Sequence, residues 1–287
     1  MMHTGSDATL AATLASLNQA VRTRQPLVHC LSNAVVLNVT ANVLLACGAA
    51  PAMVTAAEEA GVFAAQADAL SLNLGTLDAP QIAAMRAAVD GARAAARPWV
   101  LDPVAVGALP LRTGFAHELL DLRPTGIRGN ASEILALSGM AGGGRGVDST
   151  APSQQALAAA QELARRTGAV VGVTGTVDYV TDGRRTLSFA NGDPAMTRVT
   201  GIGCALSAMC AAWIAVADDA LLGMAGAVAF AGVAGSRAAT RVHAQARAND
   251  VCGDATAASL PGSFAVAYLD ELGSLGREAF LAALRSA

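Results

Sequence analysis

Aromatic side chains make up only 3% of this 287-residue sequence, and charged ones only 14%. With so few rings, a core must be filled by small side chains. The 53% of hydrophobic residues and the 29 glycines supply them, a composition that suits helices packed closely on a sheet and excludes a disordered chain. A basic excess is also missing. Lys+Arg number 19 against 22 Asp+Glu, for a net charge of −3, so no face is set up to attract nucleic acid. Mean hydropathy is high at +0.44, yet the most apolar stretch, Ala205 to Ala234, is broken by Asp218, Asp219 and several glycines. A spanning helix needs ~20 nearly unbroken apolar residues, so this stretch reads as two buried helices and no membrane partner is expected. The first residues include Asp7 and lack a basic, apolar, cleavable pattern. The five cysteines, Cys30, Cys47, Cys204, Cys210 and Cys252, are odd in number and show no metal-ligand spacing. A reducing, cytoplasmic compartment fits both observations.

No Pro/Ser/Gly-rich linker divides the chain and no internal repeat is evident; Gly142-Gly143-Gly144 reads as a local loop. Short β-like runs alternate with longer helical patterns instead, the signature of a parallel α/β architecture in one domain over residues 1–287. Strands are expected at Pro26–Cys30, Ala52–Val54, Ala69–Leu74, Trp99–Val104, Thr125–Arg128 and Val170–Thr174, with a hairpin of Asp178–Thr181 and Arg185–Phe189 about Asp182-Gly183. Helices are expected at Asp7–Arg22, Val35–Ala46, Glu58–Ala67, Ala79–Ala96, Leu111–Leu120, Asn130–Ser138, Ser153–Thr167, Ile202–Ala217, Leu221–Ala244, Ser263–Glu271 and Arg277–Leu284.

Several junctions between these elements carry chemistry. In Val199-Thr200-Gly201-Ile202-Gly203-Cys204-Ala205 a glycine turn opens directly into a long apolar helix. Converging backbone N–H groups and the partial positive charge of the helix N-terminus make such a turn an anion site. Cys204 would lie in the first helical turn, where a thiol pKa tends to fall. The same segment also fits a plain loop-to-helix junction with a buried cysteine. In Arg128-Gly129-Asn130-Ala131-Ser132-Glu133 a strand leads into a helix. Asn130 and Glu133 could organise Mg²⁺ and phosphate, with Glu133 acting through water; Asn followed three residues later by Glu is also a capping box, and the two roles are compatible.

Asp102 ends an apolar strand in Leu101-Asp102-Pro103-Val104. Ligands of parallel α/β sheets gather at the carboxyl ends of strands, so this carboxylate is placed for a metal or a phosphate-bound water, or is a solvated turn residue. Thr174-Gly175 ends another strand ahead of Asp178-Tyr179-Val180 and suits a nucleotide phosphate or a tight turn. Leu31-Ser32-Asn33 with Asn38, Pro51-Ala52-Met53 and Asn73-Leu74-Gly75-Thr76 supply polar or soft side chains at strand ends for a small, mostly apolar pocket. His3, His29, His117 and His243 read as structural, and no His/Asp/Ser set argues for hydrolysis.

Taken in order, these segments resemble hydroxyethylthiazole kinase over about Pro26 to Phe264. The resemblance rests on Val28-His29-Cys30-Leu31-Ser32-Asn33, Pro51-Ala52-Met53 with Glu58-Glu59, Leu72 through Leu77, Leu101-Asp102-Pro103-Val104, Ile127 through Glu133, Gly146-Val147-Asp148-Ser149, Val173-Thr174-Gly175 with Val177 through Gly183, Val199 through Cys204 and Pro261-Gly262-Ser263-Phe264. It implies a ribokinase-like fold, a mostly parallel central sheet with helices on both faces. The implied reaction is ATP-dependent phosphorylation of the primary hydroxyl of 4-methyl-5-(2-hydroxyethyl)thiazole in thiamine salvage. Mg²⁺ and a homotrimer with active sites at subunit boundaries are implied as well. By the same resemblance Met53 contacts the thiazole and Gly201 does so through its backbone; Asn33 joins them as a substrate contact from its place at a strand end. Arg128 and Thr174 match ATP-contacting positions, Asp102 and Glu133 the acidic metal and phosphate positions, and Cys204 the place where broader ribokinase-like enzymes carry an aspartate base.

The expected transfer is direct and in line. Amides of Ile202, Gly203 and Cys204 bind the γ-phosphoryl group, Arg128, Thr174 and Asn130 hold the nucleotide side, and Cys204 faces the alcohol. Two departures stand out: Ile202 where the family usually has Thr, and Ala60-Gly61-Val62-Phe63 in place of an acidic-methionine run. Three alternatives remain open from the residues: a ribokinase-like kinase of another small alcohol, a thiazole-binding protein that has lost turnover through Ile202, and a nucleotide-dependent dehydratase or ligase on the same scaffold.

Overall fold

The protein is described here from a computed structural model covering residues 4–140, 153–248 and 260–287. Apolar runs with few polar interruptions bury on both faces, as strands of parallel sheets do. They form β1 (Leu27–Leu31), β2 (Ala50–Ala52), β3 (Ala69–Asn73), β4 (Trp99–Asp102), β5 (Gly126–Asn130) and β6 (Val170–Thr174), all parallel. The hairpin β7 (Asp178–Thr181) and β8 (Thr186–Phe189) joins antiparallel at one edge, completing an eight-stranded sheet in the order β2-β1-β3-β4-β5-β6-β7-β8.

Helices cover both faces, as expected. On one lie α1 (Thr4–Arg24), α2 (Leu37–Cys47), α8 (Ile202–Val216), α9 (Ala220–Ala248), α10 (Pro261–Ser274) and α11 (Arg277–Ala283); on the other lie α3 (Ala57–Gln66), α4 (Ala79–Ala94), α5 (Pro110–Asp121), α6 (Ala131–Ser138) and α7 (Leu157–Thr167). Each face has its own apolar cluster. Val28, Ala69, Val100 and Val170 join the first, and Leu70, Leu101, Ile127 and Val171 join the second. This alternation is the period of two that every strand imposes. Helix α9 is long and apolar enough over Ala220–Ala246 to cross a membrane by length and composition, but 78% of its most apolar stretch is buried within the fold.

Several boundaries differ from expectation by two to four residues, and three of them have a plain physical cause. The strand expected at Ala52–Val54 lies at Ala50–Ala52, because the register pairs Leu27 with Ala50 and His29 with Ala52. Pro51 is tolerated there because β2 is an edge strand, where a missing N–H costs no ladder bond. The helix expected from Ser153 starts as a 3₁₀ turn, Ser153–Ala156, before α7. Helix α10 begins at Pro261, two residues before its expected start, with proline in the first turn, where a helix accepts it. Gly142-Gly143-Gly144, Gly146-Val147-Asp148-Ser149 and Cys252 lie outside the described residues.

Candidate active site

Strand parity selects which side chains meet. Asn73 shares a strand face with Ala69, Asp102 with Val100, Arg128 with Gly126, and Thr174 with Val170, and that face is the one α8 and α9 cover. Asn73, Asp102 and Thr174 stand at the carboxyl ends of the parallel strands β3, β4 and β6, the end at which such sheets bind ligands, and Arg128 lies two residues before the end of β5. The loop after β1 adds Asn33, and the N-terminus of α8 arrives from above. Gly201 holds the left-handed conformation (φ 91°) that opens α8, and a Cβ there would press on Val36 and Val39 at 3.1–3.2 Å.

Arg128 ties the two layers together. Its Nη1 donates to the Gly203 carbonyl at 2.9 Å and its Nη2 to Thr174 Oγ1. The turn expected to bind an anion is therefore fixed directly against β5 and β6. Asp102 is 1% exposed; its Oδ2 accepts from Asn73 Nδ2 at 2.7 Å and from Ser207 Oγ at 2.8 Å. Asn73 Oδ1 accepts from Asn33 Nδ2 at 2.8 Å and from the Gly75 N–H at 3.0 Å, and Asn33 Nδ2 also reaches Cys204 Sγ at 3.7 Å. Gly75 makes this possible, since a Cβ there would come within 2.7 Å of Asn33 Nδ2. Gly203, Cys204, Arg128 and Asp102 thus form one cluster.

Glu133 is a brace. Its Oε2 accepts the Asn130 N–H at 2.9 Å and its Oε1 the Ala105 N–H at 3.1 Å, while Asn130 Oδ1 accepts the Glu133 N–H at 2.9 Å. The capping box is complete, and through Ala105 it also ties α6 to the loop after β4. Burial pushes the carboxyls of Asp102 and Glu133 up, and the guanidinium of Arg128 opposes the shift in both. The hard carboxyl oxygens of Asp102 and Glu133 are of the kind that suits Mg²⁺. Asp102 Oδ1 accepts no hydrogen bond among the described residues. Among the described residues, no group of three or more His, Cys, Asp or Glu is placed to hold a metal ion.

The expected lowering of the Cys204 pKa is not found. Burial and then the nearby Asp102 carboxyl push this thiol up to about 11, against the opposing donors Asn73 and Asn33. Desolvation therefore outweighs the helix terminus, and the group is a protonated thiol at neutral pH. Ile202 is 6% exposed and packs into the α8-side core, so it leaves its backbone N–H, not its side chain, at the turn. Met53 follows the edge strand β2 and packs against the same core. Three strand spacings of about 4.8 Å separate β2 from β4, which puts it ~14 Å along the sheet from Asp102. Asn38 is exposed on α2 and pairs with Asn42. His29 is fully buried, with Nε2 2.8 Å from the Val54 carbonyl and its ring edge-on to Phe63 at 5.1 Å, a structural setting. The departure at Gly61 has a packing cause: α3 meets α4 backbone to backbone at Gly61 and Gly91.

Sequence reasoning missed Ser207. Its signal was present, since it is the single hydroxyl residue in the otherwise apolar α8. A separate cavity of about 480 Å³, lined in part by Arg93, Arg97 and Arg123, lies at the opposite, amino-terminal end of β4 and shares no residue with this cluster.

The sequence and the fold that carry this cluster are similar to those of known proteins. The sequence profile of the Hydroxyethylthiazole kinase family matches residues 18–278. A hydroxyethylthiazole kinase of Klebsiella pneumoniae is 55% identical over 261 residues, covering 91% of this chain and 95% of that protein. The structure of a hydroxyethylthiazole kinase protein from Pyrococcus horikoshii OT3 superposes with a TM-score of 0.82 at 35% identity, covering 96% of this chain and 98% of that one. A ribokinase-like superfamily protein from Enterococcus faecalis V583 shares the fold at a TM-score of 0.55, with 14% identity over 94% of this chain and 84% of its own. Profile, sequence and fold agree over nearly the whole length, and the chain belongs to the hydroxyethylthiazole kinase family.

Proposed function

We propose that this chain transfers the γ-phosphoryl group of ATP to the primary hydroxyl of 4-methyl-5-(2-hydroxyethyl)thiazole, as a thiamine-salvage kinase carried on one domain over residues 1–287. The observation that carries the site assignment is the 2.9 Å bond from Arg128 to the Gly203 carbonyl. It sets the amides of Ile202, Gly203 and Cys204 over the same strand ends that hold Asp102 and Thr174. There they would stabilise charge on the transferring group. Arg128 Nε is buried without a partner, a donor that a phosphate oxygen would satisfy beside Thr174 and Asn130. Mg²⁺, held by Asp102 and through water by Glu133, would neutralise phosphate charge.

As the bond from γ-phosphorus to the bridging oxygen breaks, ADP leaves with the electron pair. The alcohol oxygen forms the new bond, and its proton departs to water. The transition state of such transfers is loose, so the alcohol needs positioning more than a strong base. Cys204, Asn33 and Asn73 supply that positioning as hydrogen-bonding groups, with Gly201 against the thiazole and Met53, ~14 Å along the sheet from Asp102 in the same chain, meeting it from a neighbouring subunit. The homotrimer with sites at subunit boundaries is carried over from the family resemblance; Val35 at 64% and Leu45 at 60% exposure, with Val266 at 63% on the neighbouring α10, offer apolar surface for a subunit contact. Free thiols at Cys30, Cys47, Cys204 and Cys210 suit the cytoplasm.

Measuring ADP release with the thiazole alcohol, hydroxymethylpyrimidine, pyridoxal and blank alcohols tests the reading. Turnover is expected with the thiazole alone. Turnover only with another alcohol would transfer the enzyme to that substrate, and thiazole binding without ADP release would make it a binding protein. Light scattering should give about three times the 28.6 kDa chain mass.

A further inference from the structure

Ser207 is fully buried and belongs to none of the segments that marked the site in the sequence. A serine inside a helix ordinarily returns its hydroxyl to the carbonyl four residues back, which here is that of Gly203. That carbonyl already accepts the helix N–H of residue 207 by the ordinary ladder and Arg128 Nη1 at 2.9 Å, so both of its lone pairs are taken. The Ser207 hydroxyl crosses to β4 instead and donates to Asp102 Oδ2 at 2.8 Å. Asn73 Nδ2 donates to the same oxygen at 2.7 Å. Both donors converge on Oδ2 and leave Oδ1 for a ligand. Helix α8 is therefore latched to the sheet twice within its first turns, by Arg128 at Gly203 and by Asp102 at Ser207.

We infer that Ser207 is a positioning residue of the phosphoryl-transfer site: its hydroxyl fixes the Asp102 carboxylate so that Oδ1 faces incoming ligand, and holds that acid at a set distance from the anion-binding turn of the same helix. It acts through Asp102 and touches no reacting atom. Groups that orient a metal-binding carboxylate in this way change metal affinity or activity by about 10–100-fold when removed. A purely structural serine would alter stability and leave the metal response unmoved.

The inference rests on the kinase reading above, and its test separates the two. Mn²⁺ serves as the spectroscopic probe, titrated by electron paramagnetic resonance against the whole protein with ADP and no alcohol present. Ser207→Ala should weaken Mn²⁺ binding ~10-fold or more and lower kcat by a similar factor. The KM for the thiazole alcohol and its calorimetric affinity should stay within about two-fold, because no thiazole-contacting group is touched. Ser207→Thr keeps the hydroxyl and should recover most of both losses. Alanine is a better helix former than serine, so Ser207→Ala is expected to fold, and its melting temperature is recorded alongside. Wild-type Mn²⁺ affinity and kcat in Ser207→Ala would overturn the inference. Equal losses in the Ala and Thr variants, accompanied by weaker thiazole binding, would overturn it too by marking a packing defect. Absence of thiazole turnover in the wild type would instead sink the substrate reading while the Mn²⁺ titration still judged Ser207.

Discussion

At the residue scale, Cys204 shows how environment overrides position. The start of a helix favours a thiolate, but burial and the Asp102 carboxyl win, and the thiol is pushed up to about 11. In a Cys252→Ser background, since Cys252 lies outside the described residues, iodoacetamide should therefore label it slowly at pH 7.5, with a rate that climbs steeply above pH 9; Cys30, Cys47 and Cys210 are buried. Rapid labelling at neutral pH would show a stabilised thiolate. Cys204→Ala should lower kcat by ~10-fold and leave measurable turnover, because the backbone amides and Arg128 supply most of the electrostatic stabilisation. Unchanged kcat would remove the thiol from the reaction. Arg128 sits differently, since it both faces nucleotide and holds α8 through Gly203. Arg128→Ala should raise the ATP KM by ~10-fold or more, as loss of a charged hydrogen bond worth ~1.5–3 kcal/mol implies, and should lower kcat as the turn loosens. A higher KM with kcat intact would mean that the latch to Gly203 is dispensable.

At the scale of elements, the pair α3–α4 makes the tightest approach at any glycine among the described residues. A Cβ on Gly91 would come within 2.0 Å of the Gly61 carbonyl oxygen, so the two backbones can meet only without side chains. Gly91→Ala should destabilise the protein by about 3 kcal/mol through overpacking, read as a lower midpoint in urea. A variant as stable as the wild type would show that the helices can shift apart freely. Strands and helices were legible in sequence because parallel strands bury both faces and apolar runs such as Ala69–Asn73 and Val170–Thr174 leave little choice. The edge strand at Ala50–Ala52 was misplaced because its position is set by register with β1, a long-range pairing that no local pattern encodes. Within the site, the Gly201–Cys204 turn, Asp102 and the Asn130–Glu133 cap were readable from residue type at strand and helix ends. The direction of the Cys204 shift and the reach of Ser207 were not, because both depend on what burial brings against them from other strands.

For the molecule as a whole, the site concentrates charge inside an otherwise apolar body. Asp102, Glu133 and Asp178 are all buried, and burial pushes each carboxyl up. Asp178 allows a clean test, since its Oδ1 accepts the Gly175 N–H at 2.9 Å and its carboxyl is pushed up to about 7, with Arg128 opposing the shift. Unfolded, the same group titrates near 3.9. Between those values the folded state keeps a proton that the unfolded state has lost. Stability is therefore full below about pH 4 and declines as pH rises toward 7, at up to ~1.4 kcal/mol per pH unit. The loss is complete above pH 7 and amounts to roughly 2–4 kcal/mol from this group. Asp178→Asn cannot ionise, and its side-chain oxygen can still accept from Gly175. Near pH 4.5 the variant and the wild type should melt close together. At pH 8 the variant should melt higher by about 5 °C or more, because it escapes the cost of holding a bare carboxylate in the core. Calorimetric scans at the two pH values decide the matter: a melting difference that does not grow with pH would mean Asp178 is ionised in the fold throughout, its charge held by Arg128 and the Gly175 amide after all.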